Sequence, residues 1–158
     1  MSLEKLVQLG WYKAELSSPK EIADLFSIVD RSQADSNVEG ISDDLRFQTA
    51  YNGILTLANI VLRACGFRVS LGQGHHQRVI ESLEYTLTTQ DTTARERWMR
   101  KIKSHSQKRN TTSYDLAGGI SPTELAQVMK DLTALREQVK AWLKEVYPEL
   151  LHDDSHQG

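Results

Sequence analysis

The chain has 158 residues, of which 39% are hydrophobic and 25% are charged, and its formal net charge is −2. These values fit one folded domain and exclude a disordered chain or a polycation, so any binding to nucleic acid has to come from a local patch. The chain has only nine glycines and three prolines, which disfavours a β-sandwich or barrel and favours few, long elements. A single cysteine, Cys65, excludes an internal disulfide framework and a cysteine-based zinc cluster.

Helix-capping signatures divide the chain into segments. Ser18–Glu21 and Ser121–Glu124 are capping boxes with proline at the first helical position, and Thr93–Glu96 is a third box without proline. Together with apolar positions that recur every three or four residues, they predict an all-α, antiparallel helical bundle of five to six helices and no strand. We expect one domain over residues 1–151 and a disordered tail over 152–158. The predicted helices cover about residues 3–16, 19–35, 42–65, 75–89, 93–112 and 122–147.

Two of these helices have a distinctive apolar pattern. The third is apolar nearly all round, which is typical of a buried central helix. The sixth carries a stripe from Leu125 to Val146 in steps of three and four, typical of a core face or of a dimer interface.

The longest apolar stretch, residues 54–62, is too short to span a bilayer, and the first residues do not resemble a secretory signal. We therefore expect a cytoplasmic protein with no membrane partner and no cofactor.

The predicted fifth helix is strongly basic. Seven basic residues and one acid lie between Arg95 and Arg109, a local charge of +6 that leaves −8 for the rest of the chain. Such a segment suits a phosphate-bearing or acidic partner, and a solvated helix face is an equally good interpretation. Trp98, Ile102, His105 and Arg109 share one helical stripe, so the first two should face the core and the last two its inner edge.

Arg109 and a pair of histidines are the candidate chemical groups. A half-buried guanidinium needs a carboxylate, a helix terminus or a ligand phosphate, and an ion pair with an internal acid is the alternative to a functional role. His75 and His76 are adjacent on a helix and point about 100° apart, so they do not suit one metal ion. His76 is predicted to pack inward, and we expect no metal site.

Four segments in order resemble the HEPN-domain family. They are Ala50–Ile54, Cys65–Val69, the Gly-His-His segment Gly74–Ile80, and Lys108–Asp115 with its Arg-Asn pair. In that family, a helix that begins Ala-Tyr-Asn ends in a Gly-aromatic pair, and an Arg-Asn motif ends a later helix. The match covers roughly residues 40–147.

The resemblance implies a helical bundle that forms a homodimer and binds RNA or a nucleotide. In the ribonuclease members, an arginine is followed four to six residues later by a histidine. Arg109 and Asn110 match that motif, and Tyr114 stands where the histidine would fall. A phenol is a poor general base at pH 7 but can donate a hydrogen bond to phosphate. The resemblance thus implies a degenerate or weak ribonuclease site at these three residues, and we expect Lys108, His105 and His76 to contact the ligand as well.

Two function classes follow from the sequence. The first is a HEPN-like RNA- or nucleotide-binding protein of a toxin–antitoxin or defence system, a ribonuclease if it is an enzyme at all. The alternative is a non-catalytic interaction module whose basic helix binds a nucleotidyltransferase or another acidic protein. Salt dependence and RNA cleavage by the purified protein discriminate between the two.

Overall fold

The computed structural model describes residues 2–70, 74–87, 92–114 and 119–151, with the backbone alone for residues 92 and 111–114. Within these residues the protein is an all-α bundle, as predicted. The predicted tail, residues 152–158, lies outside the described residues. The elements are α1 (Leu3–Gln8), β1 (Tyr12–Ala14), α2 (Pro19–Ser36), α3 (Asp43–Ala64), β2 (Phe67–Val69), α4 (His75–Thr86), α5 (Thr92–Tyr114), α6 (Pro122–Val146) and a 3₁₀ turn (Pro148–Leu151).

Serine side chains cap the starts of the long helices. The Ser18 hydroxyl accepts a hydrogen bond from the Glu21 amide at 3.1 Å at the start of α2. At the start of α6, the Ser121 hydroxyl accepts from the Glu124 amide at 3.1 Å, and the Glu124 carboxylate accepts from the Ser121 amide at 3.0 Å. Each cap pairs amide groups that the first turn of a helix leaves without a partner. The capping box predicted for α6 is therefore present in full, whereas at α2 the Ser18 cap forms and the Glu21 carboxylate binds Ser17 and Arg63 instead of the Ser18 amide.

Helix α3 is the centre of the bundle. It packs against α2, α4, α5 and α6, and its side chains from Phe47 to Ala64 are largely buried on all sides. The apolar stripe of α6 is buried as well, from Leu125 to Leu143, and only Val146 at its end is exposed. Because α6 packs on α3 within the same chain, its stripe is a core face rather than an open dimer face. The homodimer then rests on the family resemblance alone and stays a prediction.

The N-terminal segment differs from its prediction. The first helix was expected to reach residue 16, but it ends at Gln8, and Tyr12–Ala14 form a strand that pairs antiparallel with Phe67–Val69. Gly10 has a φ of +82°, which stops the helix, and Gly66 has a φ of +88°, which turns the chain from α3 into β2. Three-residue strands are too short to show an alternating pattern, so the sequence did not predict this small sheet.

A buried arginine fastens the sheet to the helices. The Arg63 side chain, at the end of α3, is 2% exposed and donates from Nε and Nη2 to Glu21 Oε1 at 3.1 and 2.8 Å. Its Nη atoms also donate to the backbone carbonyls of Glu15, Leu16 and Phe67 at 2.8 to 3.2 Å. Every N–H group of this guanidinium therefore has an acceptor close by, as burial of a charge requires.

Candidate functional site

Helix α5 exposes part of its positive charge. Arg97, Arg100 and Lys103 are exposed and follow one another in steps of three, so they lie on one face of the helix. On the opposite face, Trp98 and Ile102 are buried, as the stripe predicted. The basic helix therefore presents a row of cations to solvent while its apolar side packs on the bundle.

Three other side chains of α5 contact acids of α6. The His105 Nε2 atom lies 2.7 Å from Asp131 Oδ2, and Lys101 Nζ lies 3.3 Å from Asp131 Oδ1. Nearer the end of α5, Lys108 Nζ lies 3.1 Å from Glu124 Oε2. His105 and Asp131 are both buried, so their contact belongs to the packing between the two helices.

Arg109 has a different environment from these paired groups. Its guanidinium carbon lies 5.8 Å from the centre of the Tyr51 ring, within the range of a cation–π contact. Its Nε atom is buried and donates no hydrogen bond within the described residues. The ion pairs formed among the described residues do not include Arg109, so the structure does not show the internal salt bridge that was the alternative expectation. A charge in this position needs an anion to compensate it.

An open pocket lies between Arg109 and the start of α4, and we call it the Arg109 pocket. Its volume is about 380 Å³. Polar and aromatic side chains line it, and none of the described residues in its wall is acidic. Three helices contribute to the wall, which is formed by Tyr51, Gly74, His75, His76, Gln77, Ser106, Arg109 and Asn110.

The N-terminus of α4 makes one side of this pocket. Gly74 is the N-cap residue, with a φ of +78°, and it provides no side-chain cap for the first turn. The first turn of α4 also contains no acidic residue. The free amide groups at a helix N-terminus carry a partial positive charge that favours anions. The cation of Arg109 and the uncapped end of α4 thus line one cavity.

Two histidines line the pocket beside Arg109. Burial lowers the pKa of His76 from 6.5, and the charges of Arg109 and His75 lower it further. The His76 imidazole is therefore mainly neutral at pH 7. His76 was predicted to pack inward, but its side chain is exposed at the pocket, with its ring 5.9 Å from the His75 ring. It lies in the first turn of α4, about one turn before the buried residues Val79 and Ile80.

Tyr51 forms the floor under Arg109. This tyrosine is 1% exposed, and burial raises the pKa of its phenol, so the hydroxyl stays protonated. Its hydroxyl shares a hydrogen bond with the side chain of Ser106, one turn before Asn110 on α5. This contact joins the middle of α3 to the last turns of α5 and holds the floor of the pocket in place.

The structure brings together some of the predicted site residues and separates others. Arg109, Asn110 and His76 line one pocket, whereas Lys108 and His105 contact α6 and are not in its wall. Tyr114 is the last residue of α5, and its side chain lies outside the described part of the chain. The sequence analysis missed Tyr51 and Ser106, although Ser106 lies three residues before Arg109 and so shares its side of the helix.

Comparison of this chain with protein-family models, curated proteins and solved structures finds no match. Among residues 2–70, 74–87, 92–114 and 119–151, no helix is long and apolar enough to cross a bilayer. In the same residues, no three side chains of His, Cys, Asp or Glu are grouped closely enough to hold a metal ion.

Proposed function

We propose that this protein binds RNA, as a HEPN-like domain, and that the Arg109 pocket holds a phosphate group of the RNA backbone. The observation that carries the proposal is the Arg109 guanidinium, which has no ion-pair partner among the described residues and a buried Nε without a hydrogen bond there. It lies in a cavity that also contains the uncapped N-terminus of α4. Arginine side chains and helix N-termini both bind phosphate well. Asn110 and Ser106 add neutral donors on the same side.

The exposed cations of α5 favour a polymer over a single nucleotide. Arg97, Arg100 and Lys103 lie on the face of α5 opposite the stripe that contains Arg109, so a ligand that contacts both has to pass around the helix. Arg97 lies roughly 18 Å from Arg109 along the helix axis, at 1.5 Å per residue. That length corresponds to several phosphates of an extended strand. A lone nucleotide would fill the Arg109 pocket but would leave the exposed row without a partner.

The proposal is for binding with slow cleavage or none. Tyr114 stands where the resemblance would place a histidine, and a phenol does not accept a proton readily at pH 7. The place of this protein in a toxin–antitoxin or defence system remains part of the same proposal, supported by the resemblance of residues 40–147 to the HEPN family.

The test measures RNA affinity for Arg109→Ala and a charge-matched control. Fluorescence anisotropy of a labelled single-stranded 15-mer RNA should show wild-type binding that weakens steeply with salt. Arg109→Ala should weaken it by about tenfold or more, because a hydrogen bond to a charged group contributes about 1.5–3 kcal/mol. Lys144→Ala removes the same charge from an exposed site at the far end of α6 and should change affinity little.

Three outcomes would contradict the proposal. Absence of RNA binding by the wild type at low salt would refute it and favour the module that binds an acidic protein. Equal losses in Arg109→Ala and Lys144→Ala would show a diffuse charge effect without a specific pocket. A large loss of folding stability in Arg109→Ala, measured by urea unfolding, would mark Arg109 as a structural residue instead.

A further inference from the structure

A second cavity adjoins the Arg109 pocket, and we call it the amide groove. It lies between α2, α3 and the start of α4 and has a volume of about 260 Å³. Leu25 and Ile28 of α2 form one side, and α3 and α4 supply the rest of the wall. These further wall residues are Asn52, Leu55, Thr56, Asn59, His75, His76 and Val79.

The two cavities share His75 and His76. Both histidines belong to the wall of the amide groove and also to the wall of the Arg109 pocket. The two imidazole rings therefore stand between a cationic cavity and an uncharged one. A ligand that fills both cavities needs an anionic part and a neutral part joined by a short connection that passes these rings.

The walls of the amide groove have the chemistry of a site for a flat polar ring. Leu55 and Val79 are buried apolar side chains, which suit the face of a ring. The amides of Asn52 and Asn59 each offer both a donor and an acceptor, which suit the edge of a ring. Apart from the two histidines, the described residues in the wall carry no ionisable side chain, so the groove favours a neutral group over a second phosphate.

We infer that the amide groove binds one unpaired base of the RNA whose phosphate is held in the Arg109 pocket. This inference rests on the proposed function. A nucleotide has the required form, because a neutral heteroaromatic ring and a phosphate are joined through one ribose. Single-stranded RNA is recognised in this manner, with bases turned out, stacked on aromatic rings such as imidazole and hydrogen-bonded along their edges. The protein would then select single-stranded over double-stranded RNA, since a paired base cannot enter the groove.

The test compares three probes of equal length: a single-stranded RNA, its fully complementary duplex, and a ribose-phosphate oligomer without bases. Wild type should bind the single strand about tenfold more tightly than the oligomer without bases, as expected for one base in contact with a ring. It should bind the duplex no better than that oligomer. Asn59→Leu keeps the branched shape and the number of heavy atoms and removes the amide, so it should reduce this preference for bases severalfold.

A second groove variant and a control separate a lost base site from a folding defect. Asn52→Ala changes an exposed residue of α3 and should act in the same direction as Asn59→Leu. Gln138→Leu removes an amide on α6 outside both cavities and should leave all three affinities as in the wild type. In each groove variant, binding of the oligomer without bases should stay unchanged, which shows that the Arg109 pocket is intact.

The possible failures are distinguishable. If the oligomer without bases binds as tightly as RNA, or the duplex as tightly as the single strand, this inference is refuted and phosphate binding at Arg109 stands. An unchanged preference for bases in both Asn59→Leu and Asn52→Ala refutes the inference too. If no probe binds, or Arg109→Ala binds all probes as wild type does, the proposed function itself fails.

Discussion

Replacing Arg63 with alanine removes a buried guanidinium that joins the end of α3 to α2 and to the small sheet. In the wild type, two of its N–H groups bind the Glu21 carboxylate and the others bind three backbone carbonyls. Alanine leaves the carboxylate and the carbonyls without these donors, in a space that the methyl group does not fill. The cost should be about 3–5 kcal/mol of unfolding free energy, as for a buried ion pair that loses one partner.

This loss is a large part of the stability of a single domain, which is about 5–15 kcal/mol. Urea unfolding followed by far-UV circular dichroism measures it, because the bundle is mostly helical. With a slope of about 2 kcal/mol per molar urea, the unfolding midpoint should fall by about 2 M while the slope stays constant. An Arg63→Lys variant should lose much of the same stability, since an ammonium group cannot reproduce the planar fork of donors.

Arg68→Ala is the matched control for this prediction. Arg68 also binds the Glu21 carboxylate, together with that of Glu15, but its side chain is 43% exposed and its ion pairs are screened by solvent. Its removal should shift the midpoint much less. The reasoning is refuted if both alanine variants lose equal stability, or if Arg63→Ala stays within about 1 kcal/mol of the wild type, which would indicate that water replaces the lost donors at little cost.

Three further predictions concern acid stability, packing and assembly. Burial alone would raise the pKa of Glu21, but hydrogen bonds from Arg63 and Ser17 outweigh it and lower the pKa below 4.5. The stability from this carboxylate is present above that pH and lost as the pH falls through the folded-state pKa, so Glu21→Gln should flatten the acid limb of an unfolding curve. Gly53→Ala should lower stability by about 1–3 kcal/mol in thermal melts, because the new Cβ would lie 2.9 Å from Leu132 Cδ1. Light scattering at micromolar concentration should show a homodimer, and a monomer would contradict that prediction.

Local patterns were enough to predict the main helices. The capping serines Ser18 and Ser121 mark the starts of α2 and α6, and the apolar pattern identifies α3 as the buried centre. These signals are readable because a cap and a helical period involve residues within a few positions of one another. The stripe on α5 predicted the inner-edge position of Arg109 for the same reason, and the family resemblance singled out Asn110 beside it.

Contacts between distant segments were decided only in the folded chain. The pairing of β1 with β2 and the acceptors around Arg63 join segments far apart in sequence, and neither leaves a periodic signal. The position of His76 at an open pocket and that of Tyr51 beneath Arg109 depend on how α3, α4 and α5 pack together. A sequence pattern specifies which face of a helix is buried, but the distances between side chains on different helices are set by the packing of the whole core.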